Sequence, residues 1–204
     1  MKTLLIALAG LLVCSFAQAA DDNDTLVKIG GKGKVAFVNT CEAPTDVLDA
    51  SLKKLSEILM INLVIQKGGW TLADAQKNFD SAGANTAIFI VKDKALPMSL
   101  IAMESKWGVV NAEGLDATSI SKEALRVATV LLGGASSRYT ASTMRGVFSK
   151  EDLQKKAGEI VTFDSIMSIV NYLPSLGIEQ FQMMTKADAI ESGLLKDDKK
   201  PAAK

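Results

Sequence analysis

Apolar residues in this chain come in short dense runs, separated by stretches in which they recur every three or four positions. Lys34 to Thr40 (KVAFVNT), behind the turn Gly30-Gly31-Lys32-Gly33, predicts a first strand. In Pro44 to Leu59 the residues Val47, Leu48, Leu52, Leu55, Ile58 and Leu59 fall at helical spacing, with Pro44 in the first turn. Ile61 to Gln66 predicts a second strand, Thr71 to Ser81 a weaker helix, and Thr86 to Val91 (TAIFIV) a third strand buried on both faces. Strand, helix, strand, helix, strand implies right-handed crossovers and a largely parallel sheet.

The rhythm breaks after residue 92. Ser99 to Met103 predicts an edge strand and Trp107 to Asn111 a further strand. Thr118 to Leu132 predicts the strongest helix, with Ile120, Ala124, Leu125, Ala128, Leu131 and Leu132 on one face. Thr118, Ser119 or Ser121 would cap it, and Gly133-Gly134 would end it. Residues 135–148 are polar and irregular. Short helices are expected over Ser149 to Ala157, Phe163 to Tyr172 and Thr185 to Ser192. The fold class is therefore α/β, a mixed and mostly parallel sheet with an antiparallel edge strand and helices.

The first residues read differently. Met1-Lys2, the uncharged run Leu4 to Val13 and the small-x-small Ala17-Gln18-Ala19 have the layout of a secretory signal peptide. Cleavage near Ala19 would put the protein in the periplasm or outside the cell. Lipid anchoring at Cys14 is disfavoured, because Val13 stands where such sites carry a small residue. The domains expected are a signal peptide over 1–19, a flexible segment over 20–33, one α/β domain over 34–195 and a disordered charged tail over 196–204. No permanent membrane span is expected, since the leading apolar run is too short for one.

Composition removes several kinds of chemistry. Among 204 residues there are 23 Lys and Arg, 23 Asp and Glu, and no histidine. Without an imidazole there is no Ser-His-Asp or Cys-His pair and no His-bound zinc. The balanced charge argues against a nucleic-acid partner. Signal cleavage would leave one cysteine, Cys41, with no internal disulfide to make. Ser51-Leu52-Lys53-Lys54 and Ser119-Ile120-Ser121-Lys122 both fit S-x-x-K but lack its companion motifs, so both are expected to be structural. Met98, Met103, Met144, Met167, Met183 and Met184 are expected to fill the core.

From about Ala87 to Leu153 the chain resembles the catalytic region of zincin-fold peptidases, the archaemetzincin branch of the metzincins above all. The resemblance rests on order: IFIV strand, edge segment, WGVVN strand, KEALR helix, glycine end, methionine turn and short acidic helix. In that family the helix carries H-E-x-x-H-x-x-G-x-x-H, whose histidines hold zinc while the glutamate activates water. On this frame Arg126 falls on the first ligand position, Val127 on the glutamate, Val130 on the second ligand, Gly133 on the bend glycine, Ser136 on the third ligand and Met144 on the methionine turn. Only the glycine and the methionine match.

The resemblance thus implies a degenerate relative with no catalytic residue, no metal and no cofactor. A guanidinium is permanently cationic, and valine has no lone pair to offer a metal. Arg126, Arg138, Arg145, Ser99, Leu100 and Ile101 are the candidate lining of the former cleft. A peptide or protein ligand laid along the edge strand is the expected function. A hydrolase using a serine or Cys41 is the alternative. The sequence carries no signal of oligomeric state.

Overall fold

The computed structural model describes residues 24–68, 73, 84–135, 144, 147, 149–155 and 161–196. The expected signal peptide, the tail beyond Lys196 and nearly all of the Thr71–Ser81 helix lie outside these residues. The chain divides into two compact units, residues 30–182 and residues 1–29 with 183–204.

The larger unit is built on a five-stranded sheet. Its strands are β2 (Val35–Asn39), β3 (Leu63–Lys67), β4 (Thr86–Val91), β5 (Ser99–Ala102) and β6 (Trp107–Asn111), in the order β3-β2-β4-β6-β5. The β2–β3, β2–β4 and β4–β6 ladders are parallel, and β5 joins β6 antiparallel at the edge. This is the expected mixed sheet. All six β4 residues and all five β2 residues are buried, as unbroken apolar runs require when both faces are covered.

Helix α1 (Asp46–Leu59) and helix α2 (Ala117–Leu131) pack into one cluster with Val35, Phe37, Ile88, Ile90 and Val110 of the sheet. Ala36, Val38, Ala87, Phe89 and Val109 alternate with these along the strands and form a second cluster. On α2, the residues Ile120, Leu125, Val127 and Leu131 are each at most 3% exposed. Burial of such a side chain contributes about 1.5–3 kcal/mol. Helix α1 starts at Asp46 with Thr45 as its N-cap, so Pro44 precedes the helix instead of opening it. Ile58 is 53% exposed, off the buried face its spacing suggested.

Helix α3 (Lys150–Lys155) begins after Ser149, whose hydroxyl accepts from the Asp152 amide at 3.1 Å. Helix α4 (Phe163–Tyr172) has the expected bounds and runs into a 3₁₀ turn at Leu173–Leu176 that contains Pro174. Trp107 is half-buried at the start of β6. Met144 is buried, but Met103, Met167 and Met183 are 40–44% exposed and are not core.

Two strands were not anticipated. β1 (Leu26–Lys32) lies in the stretch expected to be flexible, and β7 (Glu179–Thr185) in a stretch given no structure; they pair as a separate two-stranded sheet. Gly30 and Gly31, which suggest a turn, sit in β1 at φ of 70° and 75°. A Cβ on Gly31 would come within 2.9 Å of the Phe181 Cβ, so the strands approach too closely for any side chain there. In the smaller unit, helix α5 (Lys186–Glu191) is capped by Thr185, whose hydroxyl accepts from the Asp188 amide.

Candidate functional site

Helix α2 holds Arg126, Val127 and Val130, three of the six positions that the resemblance singles out. It starts with Asp116, whose carboxylate accepts from the Ser119 amide at 2.7 Å. The cap thus falls before the Thr118, Ser119 and Ser121 candidates, because an extended residue just outside the helix can reach the orphan amide two or three positions on. These amide bonds and the Ser119 hydroxyl hold the Asp116 carboxyl below the usual carboxylate range, helped by nearby Lys122.

The helix ends as the glycines predict. The Gly133 amide donates to the Val130 carbonyl and the Gly134 amide to the Thr129 carbonyl, with Gly133 at φ 81°. A Cβ on Gly133 would meet the Tyr172 ring at 2.7 Å. The next carbonyls are received by α4: Ser168 donates to Gly133 and Ser165 to Ala135 at 2.9 Å.

Between its ends α2 is buried on nearly every side. Lys122, Arg126 and Val130, four residues apart, escape full burial and form one accessible stripe. The stripe contains Arg126 and Val130, the two positions that the resemblance lays on helix ligands. Val127, which the resemblance lays on a glutamate, is fully buried.

Arg126 is held from two directions. Its Nε donates to both Glu123 carboxylate oxygens at 3.1 and 3.0 Å, and its Nη2 donates to Glu123 and to the Ser99 hydroxyl at 2.8 Å. The Glu123 side chain has no exposed surface and that of Arg126 keeps 18%. The buried carboxylate therefore has a bidentate, charge-assisted partner. The same guanidinium ties the helix to edge strand β5. Ser99 and Ile101 are half-buried, and Leu100 is 36% exposed.

The first ligand position thus holds a cation in an ion pair and the second an alkyl group, so this donor set does not fit a metal. No group of three or more Cys, Asp or Glu that could hold a metal ion occurs among the described residues. Ser136, Arg138 and Arg145 lie outside the described residues. Of the candidate cleft, Arg126, Ser99, Leu100 and Ile101 are placed, and the first two are in contact. Glu123, the partner of Arg126, is not among the candidate site residues, although Glu-x-x-Arg is a helix-face pair visible in sequence.

The other candidates show no activated nucleophile. Burial pushes the Cys41 thiol up, against smaller lowering effects from the Ala43 backbone and Lys92, which is the wrong direction for a reactive thiolate. The Ser121 hydroxyl is buried and donates to the Ser51 hydroxyl at 3.3 Å between α1 and α2. A cavity of about 550 Å³ opens at the carboxyl ends of β2 and β3, with Asn39, Thr40, Glu42, Thr45 and Lys67 in its wall. The Asn39 side chain is spent on the Cys41 and Ala43 backbone of the same loop.

No protein-family model matches the chain, and no curated protein matches it. Among solved structures, the chain has a weak likeness to a zinc-dependent peptidase from Methanocorpusculum labreanum (strain Z). The TM-score is 0.45 and the identity 11%, over 67% of this chain and 100% of that one.

Proposed function

We propose that this chain is a non-catalytic binding protein on a degenerate metallopeptidase-like scaffold, exported to the periplasm or beyond after cleavage near Ala19. Its ligand is a peptide or an extended segment of a protein. The observation that carries this reading is the contact between Arg126 and Ser99. It sets the accessible stripe of an otherwise buried helix against an antiparallel edge strand, with Arg126 and Val130, which can neither bind a metal nor move a proton, in the two helix ligand positions of the resemblance.

β5 offers the template. The Asn111 amide donates to the Met98 carbonyl at 2.9 Å. By the alternation of antiparallel ladders, Leu100 and Ala102 then turn their backbone groups toward β6, and Ser99 and Ile101 turn theirs outward. An incoming extended segment would add a strand there, with main-chain bonds supplying affinity and alternate side chains supplying choice.

The test is hydrogen exchange on the full chain with eight-residue peptides selected from a random phage-displayed library. Selected peptides are expected to slow exchange at the Ser99 and Ile101 amides. A selection that yields no such peptide, or protection only elsewhere, would overturn the reading. Proteolysis assays with added zinc are expected to show no turnover.

A further inference from the structure

We infer that Glu123 sets the specificity of this same face, so that the ligand residue pairing opposite Ser99 is uncharged rather than acidic. The inference rests on the edge-strand reading above.

The geometry follows from strand pairing. Residues directly opposite in neighbouring strands put their Cβ atoms about 4.5–5.5 Å apart on the same face. Ser99 turns its hydroxyl to Arg126 Nη2 at 2.8 Å, toward α2. The side chain opposite Ser99 therefore arrives beside the guanidinium. A lone arginine there would select a carboxylate. This arginine is not alone, because its Nε and Nη2 donors are committed to Glu123 and Ser99.

Glu123 has no exposed surface and sits within hydrogen-bond distance of the guanidinium. Its charge cancels that of Arg126 where the ligand would feel it. A ligand carboxylate would lose its hydration, find the Nε and Nη2 edge of the guanidinium taken, and meet the like charge of Glu123 behind it. The buried Glu123 thus removes the attraction that Arg126 alone would offer an acidic residue, and specificity is a difference of this kind between ligands. An uncharged side chain loses nothing there and can lie along Val130, the next residue of the stripe. Lys122, one turn earlier, has Asp116 as its neighbour.

The test repeats the library selection on the full chain, wild type and Glu123→Gln. Among wild-type peptides that protect β5 from exchange, the position opposite Ser99 is expected to carry uncharged residues. Glu123→Gln leaves the guanidinium charge uncompensated and is expected to raise the preference for Asp or Glu at that one position about tenfold. Glu123→Gln combined with Arg126→Gln removes both charges and is expected to restore the wild-type preference. An acidic consensus in the wild-type selection would overturn the inference, even if the single variant does not fold. So would an unchanged preference in a Glu123→Gln protein with wild-type circular dichroism. Absence of any peptide protecting β5 would instead bring down the edge-strand reading itself.

Discussion

A carboxylate with no exposed surface must be neutralised where it stands, and Glu123 is neutralised by Arg126 one helical turn on. Removing one member of a buried pair leaves the other uncompensated, at a cost of about 3–5 kcal/mol. The two members are not equivalent. Arg126→Met strands a fully buried charge and is expected to lose stability in that range in urea unfolding at neutral pH. Glu123→Gln leaves a guanidinium that keeps some contact with water and is expected to lose clearly less. Equal losses would mean that the pair is not sensed as buried on the glutamate side. That Arg126 cannot be a metal ligand was legible in the sequence, because side-chain chemistry alone decides it. Its partnership with Ser99 was not, since it joins a helix and a strand 27 residues apart.

At the scale of elements, the docking of α2 on β6 depends on one glycine. A Cβ on Gly108 would meet a Val127 methyl at 2.4 Å and the Leu131 side chain at 3.2 Å. Gly108→Ala is expected to cost about 1–3 kcal/mol through overpacking. Combined with Val127→Ala it should cost less than the two single changes together, as a double-mutant cycle would report. The start of α2 gives a pH signature. The folded Asp116 carboxyl titrates below its unfolded value, so its contribution is present above the ordinary aspartate range and is lost as pH falls through the folded value. Asp116→Ala should therefore lower the denaturation midpoint at neutral pH and converge on wild type in acid. Asp116 escaped notice because Thr118, Ser119 and Ser121 offer equally good capping chemistry further on. β1 and β7 were missed for a different reason. β1 alternates between exposed and half-buried residues and carries two left-handed glycines, and in β7 only Phe181 is buried, so neither shows the dense apolar run that marks β2 and β4.

For the molecule as a whole, the largely parallel sheet was legible because strand-forming segments alternate with helical ones and α1 spans the first crossover, but the order β3-β2-β4-β6 was not. The edge position of β5 agrees with the edge strand expected over Ser99 to Met103. What the edge strand faces could not be read from spacing, because it depends on how α2 is rotated about its own axis. That rotation leaves Arg126 and Val130 accessible and Val127 buried, and it sets a charge-paired stripe beside edge strand β5. We propose that this face binds its ligand without metal chemistry. The most direct test is the zinc content of the full chain, loaded with excess zinc, desalted and measured by elemental mass spectrometry. Well under one zinc per chain is the predicted result; one zinc retained per molecule would contradict the account.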